Sequence, residues 1–159
     1  MAVCAFARAL LLQAIHIAEK NFFSVLHGIV DSLWIYKKDS TVQDYERLRD
    51  TIAAETGFDL SLDVYRWIVF LSSKENKNLP VANRYFGANL KGELKLRGIE
   101  TRRHDTPRFF KNCQLEILNM FASCKTISDV KKAISDAKEI QAKYTNRIYC
   151  NQVPLEDLV

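Results

Sequence analysis

The 159-residue sequence has none of the short signatures that usually announce an enzyme. There is no G-x-G-x-x-G and no G-x-x-x-x-G-K-[ST], so the common phosphate-cradling glycine loops are excluded. There is no H-E-x-x-H and no G-x-S-x-G, so the helical zinc-protease site and the hydrolase nucleophile elbow are excluded as well. His16, His27 and His104 are scattered and suggest no Ser/His/Asp set. Cys4, Cys113, Cys124 and Cys150 form no C-x-x-C pair, and no His pair accompanies them. That pattern argues against a zinc site and a disulfide framework, and points to a reduced, cytoplasmic chain. Long apolar runs are lacking too. "MAVCAFARALLLQAIHIAEK" is interrupted by Arg8, Gln13 and His16 and has no basic n-region. Neither a signal peptide nor a membrane helix is expected there.

What is present is ordinary globular material. Hydrophobic residues make up 48% and charged residues 26%, enough for a core and too apolar for disorder. The length allows one domain or a piece of a larger one. The net charge is +4, and its placement says more than its size. Between Arg84 and Lys111 lie eight Lys/Arg and three Asp/Glu, a local excess of 8 − 3 = +5, so the rest of the chain is at 4 − 5 = −1. A charge concentrated in one segment is an electrostatic footprint for an anionic partner, or a solvated face.

Periodicity predicts the order helix, hairpin, helix, strand, hairpin, helices. Leu10, Leu11, Ala14, Ile15, Ile17 and Ala18 mark a buried helix face within 5–20. Residues 22–36 read as two strands around a tight turn. Ser40-x-x-Gln43 resembles a capping box ahead of the stripe Val42, Tyr45, Leu48 and Ile52, and Gly57 is a C-terminal stop. "FDLSLDVYRWIVFL", 58–71, reads as one long strand, and Lys91-Gly92 as the turn of a second hairpin. From Thr106 the chain turns helical, with Thr126-x-x-Asp129 as a cap. This is an α+β layout, an antiparallel sheet with helices on one face followed by a helical segment.

Three places carry candidate chemistry. Asp31 sits alone at the tip of the apolar hairpin "FFSVLHGIVDSLWIYKK". It is either a turn former or a rigidly held metal ligand, since Mg²⁺ prefers a few fixed oxygens. In "LKLRGIETRRHDTPRF", Arg97, Arg102, Arg103 and Arg108 offer bidentate donors for phosphates, Gly98 permits close backbone approach, and Glu100 and Asp105 would orient or neutralise the arginines. The same residues would equally make an internal ion-pair network. In "NRYFG", Arg84 and Tyr85 point to opposite faces of a strand, so that one faces nucleic acid, or the aromatics simply pack the sheet.

Taken in order, these pieces resemble the C-terminal palm and early thumb of family B DNA polymerases. "VLHGIVDSLWI" is similar to motif C, usually written Y-G-D-T-D-S. "VANRYFG" is similar to the strand usually written K-K-R-Y, and "KLRGIETRRHDTP" to the R-G-x-E-x-x-R-x-D segment. "QVPLEDLV" resembles a thumb phrase. The resemblance implies a palm portion at 1–105 and the beginning of a thumb at 106–159. It implies Asp31 as catalytic metal ligand, with Arg84, Tyr85, Arg97, Gly98, Arg102 and Arg103 on primer–template DNA and Glu100 and Asp105 as orienting groups.

The departures carry as much information. Ile29 stands at the first Asp of motif C, Val30 at its Thr, His27 at its Tyr, and Asn83 at the lysine of the strand motif. Such changes resemble divergent archaeal paralogues. The resemblance also begins only after motif B, so motif A, motif B and the exonuclease domain are not in the sequence. Two-metal phosphoryl transfer needs at least two carboxylates around a pair of ions. The isolated chain is therefore expected not to polymerise DNA. Completion would require an upstream polymerase polypeptide supplying a second carboxylate in trans, with Mg²⁺ and a deoxynucleotide. The alternatives are a non-catalytic DNA-binding or assembly module, and a decayed gene fragment.

Overall fold

A computed structural model describes residues 2–29, 31–73, 75–76 and 79–159. The chain divides into two compact units, Met1–Val64 and Tyr65–Val159.

The first unit is built from α1 (Ala2–Lys20), β1 (Ser24–Ile29), β2 (Ser32–Tyr36) and α2 (Val42–Thr56). The strands pair antiparallel, with Val25 opposite Ile35, Gly28 opposite Leu33 and Ile29 opposite Ser32. A bulge lies between Val25 and His27. It resets the alternation, so that Gly28 falls on the same face as Val25. The core joins Ile17, Ala18, Phe23, Leu48 and Ile52, with Val25, Leu33, Ile35 and Tyr45 packed against it. Burying each of the larger aliphatic side chains contributes about 1.5–3 kcal/mol. A Cβ built at Gly28 would lie 3.7 Å from Leu11 Cδ2 and 3.8 Å from Ile15 Cδ1, which places α1 against the hairpin near its tip. The capping box of α2 is shifted by one residue from the expected one. The Thr41 N–H and hydroxyl both donate to Asp44 Oδ2 at 2.8 Å. The Ser40 hydroxyl instead donates to the Lys37 carbonyl at 2.6 Å. Gly57 ends α2 at φ 75°, in the left-handed region that favours glycine.

The second unit holds β3 (Tyr65–Ser72), β4 (Pro80–Asn89), β5 (Leu94–Arg97), α3 (Arg108–Ala122), α4 (Ile127–Lys132) and α5 (Ile134–Tyr149). The three strands form one antiparallel sheet in the order β3-β4-β5. Register puts Trp67, Val69, Phe86, Ala88, Leu94 and Leu96 on one face. Phe121, Val130, Ile117 and Met120 of α3 and α4 pack there. Trp67 meets Phe86 edge-on, Phe86 stacks on Phe121, and Trp67 Nε1 donates to the Cys124 carbonyl at 2.9 Å. The β4–β5 turn is organised by Asn89, whose Oδ1 accepts from the Lys91 and Glu93 N–H groups, with Gly92 at φ 87°.

The α+β layout is as expected, with the strands sorted into two antiparallel sheets rather than one. The strand expected over 58–71 begins only at Tyr65. Residues 58–64 have the alternation of a strand but no ladder partner among the described residues. The Thr126 cap forms, its hydroxyl accepting from the Asp129 N–H at 3.2 Å. A turn at Ala133 splits what reads as one helical stripe into α4 and α5.

Candidate nucleic-acid interface

The loop from β5 into α3 is where the charged residues gather, and a glycine starts it. Gly98 has φ 58°, and a Cβ there would lie 2.1 Å from the Asn83 carbonyl oxygen. Only glycine lets the chain turn this close to β4. Its carbonyl accepts from Arg84 Nε at 3.0 Å, which ties the loop back to the strand. Ile99, 3% exposed, then anchors the loop, and the Thr101 N–H donates to Gln114 Oε1 of α3 at 2.7 Å.

Glu100 sits at the centre of the charge. Its Oε1 lies 3.7 Å from an Arg84 terminal nitrogen and its Oε2 lies 3.5 Å from Arg103 Nε. The Thr106 hydroxyl donates to Oε2 at 3.4 Å. Arg103 also makes a bidentate pair with Asp105, through Nε at 2.9 Å and a terminal nitrogen at 2.6 Å. Those hydrogen bonds hold the Asp105 carboxyl down to about 2 and push the Arg103 guanidinium up. Arg102 donates to the Leu96 carbonyl at 3.1 Å. Thus Arg84, Arg102 and Arg103 are each engaged within the loop. Arg97 is different. It is exposed, its side chain makes no hydrogen bond or ion pair among the described residues, and it stands directly across from Tyr85.

The structure thus brings Arg84, Tyr85, Arg97, Gly98, Glu100, Arg102, Arg103 and Asp105 to one end of the second unit. Tyr85 is 8% exposed, with its ring 5.7 Å from that of Phe70. Asp31 belongs to the first unit. It is exposed and accepts a hydrogen bond from the Ser32 hydroxyl at 3.2 Å. Val30, which precedes it, lies outside the described residues. Among the described residues, no group of three or more His, Cys, Asp or Glu side chains is placed to hold a metal ion. Asp31 with one hydroxyl beside it is a single ligand and does not by itself fit a two-ion clamp. Gln114 and Thr106, which fasten the loop, had no sequence signal: a Gln within a helical stripe and a Thr before a Pro look like surface residues. No described helix is long and apolar enough to cross a membrane.

Comparison with known proteins places this geometry in context. No family profile matches the chain. DNA polymerase 2 of Saccharolobus solfataricus is 36% identical over 126 residues, covering 79% of this chain and 18% of that protein. The DNA polymerase of Archaeoglobus fulgidus is 30% identical over 158 residues, covering 99% of this chain and 18% of that one. The solved family B DNA polymerase of the hyperthermophilic archaeon Pyrobaculum calidifontis superposes with a TM-score of 0.65 over 98% of this chain and 18% of its own, at 23% identity. The chain is homologous to a segment of archaeal family B DNA polymerases. It spans about a fifth of the length of the polymerases it matches. The fold likeness to the Pyrobaculum polymerase runs through both units, so the Asp31 hairpin and the Gly98 loop lie within the same matched polymerase segment.

Proposed function

We propose that the chain is the C-terminal palm, residues 1–105, and the beginning of the thumb, residues 106–159, of a cytoplasmic family B DNA polymerase. It carries motif C and primer–template contacts, and nucleotidyl transfer arises only with a polypeptide that supplies motifs A and B. The observation that carries this reading is the likeness to archaeal DNA polymerases along nearly the whole chain, in which one segment holds both the Asp31 hairpin and the Gly98 loop. Asp31 would be one Mg²⁺ ligand beside a carboxylate supplied in trans, where the ion would polarise a phosphoryl oxygen of the incoming deoxynucleotide. Arg97 presents an uncommitted guanidinium to the DNA backbone. Arg84, Arg102 and Arg103, with Glu100 and Asp105, hold the loop around Gly98 while turning their outer N–H groups to phosphate. Tyr85 stiffens the strand that presents them.

The test is primer extension with Mg²⁺, with and without the polypeptide encoded upstream. Extension is expected only in the mixture, and Asp31→Ala should lower it on the order of 10²–10³-fold, the usual cost of one preorganised electrostatic group. Undiminished extension in the Asp31→Ala mixture would remove Asp31 from the mechanism.

A second reading has an observation of its own. One carboxylate at the hairpin and an arginine loop held by internal pairs suit a non-catalytic DNA-binding module. That reading predicts salt-sensitive duplex binding with no extension in any mixture.

A further inference from the structure

We infer that residues 58–62 are an open edge to which the upstream polypeptide adds a β-strand. This inference rests on the split-polymerase reading above and adds to it the place where the two chains join.

The backbone of "FDLSL" carries the argument. Apolar Phe58, Leu60 and Leu62 alternate with Asp59 and Ser61, the period of a strand, and the chain makes no helix, turn or bend there. Among the described residues, no backbone N–H or carbonyl of 58–62 makes a hydrogen bond. The β3–β4 ladder starts at the pair Tyr65 and Asn89 and stops short of the segment, since the chain turns back after Asn89. A row of open N–H and carbonyl groups is answered by another strand, which offers donors and acceptors at the same spacing.

Side chains mark the same place. Phe58 is 49% exposed, and its ring centroid lies 6.3 Å from that of Phe6 on α1, itself 60% exposed. Val3, one turn before Phe6, is exposed too, as is Leu60, on the same side of the segment as Phe58. These apolar groups beside an open backbone are what the side chains of an added strand would cover.

Charge and relatedness select the occupant. Asp59 and Asp63 make the polar side of the segment acidic. A second copy would bring four carboxylates to one short ladder, where facing like charges destabilise the pairing. A strand with Lys or Arg at its polar positions fits instead. The matched segment is 18% of the Pyrobaculum polymerase, so most of that chain lies outside it. On the split-polymerase reading, the upstream polypeptide supplies that remainder, and with it the strand.

The experiment mixes the whole chain with the polypeptide encoded upstream. It reads amide hydrogen exchange by mass spectrometry and affinity by calorimetry. Amides of 58–62 are expected to exchange freely in the chain alone and at least about tenfold more slowly in the mixture. Leu60→Pro combined with Ser61→Pro removes one donor from each side of the segment, whichever side the strand uses. That double variant, Phe58→Ser and Asp59→Lys should each weaken association about tenfold. Leu155→Ser, an exposed apolar position in the second unit, should leave it unchanged. Circular dichroism confirms the fold of each variant. Association that leaves 58–62 unprotected would overturn the edge and leave the split-polymerase reading standing. Protection already present in the chain alone and lost on dilution would also overturn it, since a second copy would then be the occupant. No association of the wild-type chains would overturn the split-polymerase reading, and the edge with it.

Discussion

The carbonyl oxygen of Asn83 occupies the space where a side chain on Gly98 would begin, 2.1 Å from its ideal Cβ. Two penalties therefore act together at Gly98. Its φ of 58° disfavours any other residue, and the blocking atom is backbone, which cannot swing aside. Gly98→Ala is expected to destabilise the chain by more than about 2 kcal/mol. Urea denaturation followed by circular dichroism measures this directly. A loss under about 0.5 kcal/mol would mean that the loop can leave β4 freely.

Asp105 supplies a pH signature for the same loop. Its carboxyl is held down to about 2, chiefly by the hydrogen bonds from Arg103. A carboxyl with its folded pKa below its unfolded value, ordinarily about 3.9, contributes stability that is complete above about pH 4. The contribution fades as pH falls toward 2. Carboxyl-carbon NMR titration should find Asp105 half-protonated near pH 2 in the wild type and close to the ordinary range in Arg103→Ala. Wild-type titration near pH 4 would show that the bidentate pair does not persist in solution.

At the hairpin tip, the turn-former and metal-ligand roles of Asp31 separate experimentally. Asp31 is exposed, and its Ser32 hydrogen bond is 3.2 Å long. Asp31→Asn keeps the turn propensity and removes the charge. Stability is expected to change by no more than about 0.5 kcal/mol, as for most exposed positions. A cost above about 1 kcal/mol in thermal or urea unfolding would give Asp31 a structural duty and weaken its case as a ligand kept for metal.

Local signals were legible in the sequence wherever the partner lies a few residues away. Gly57, the Lys91-Gly92 turn and the Thr126–Asp129 cap all stand where short-range chemistry puts them. At the start of α2 two adjacent hydroxyls competed, and Asp44 decided in favour of Thr41 by accepting from both its N–H and its hydroxyl. Residues 58–64 failed as a strand because alternation describes one chain and a ladder needs two. The arginine loop left two readings open for the same reason. Whether Arg84 faces phosphate or Glu100 depends on the Tyr85–Arg97 register, which closes a hairpin and brings distant residues together.

Trp67 joins the sheet to the turn after α3, and its removal should show how much that one contact matters. The indole is 4% exposed, and Nε1 donates to the Cys124 carbonyl at 2.9 Å. Its ring meets Phe86 edge-on at 5.9 Å, and Phe86 in turn stacks on Phe121 of α3. Trp67→Phe keeps an aromatic in place but leaves the carbonyl without its donor, at a cost of about 1–3 kcal/mol. The smaller ring also opens space in a close-packed core, which adds to the loss. The total is expected to be about 2–4 kcal/mol by urea unfolding. Amide hydrogen exchange should accelerate around Cys124 and in α4 while the first unit is unaffected. Unchanged exchange at Cys124 would mean that the turn is held by the aliphatic contacts of Val130 and not by the indole.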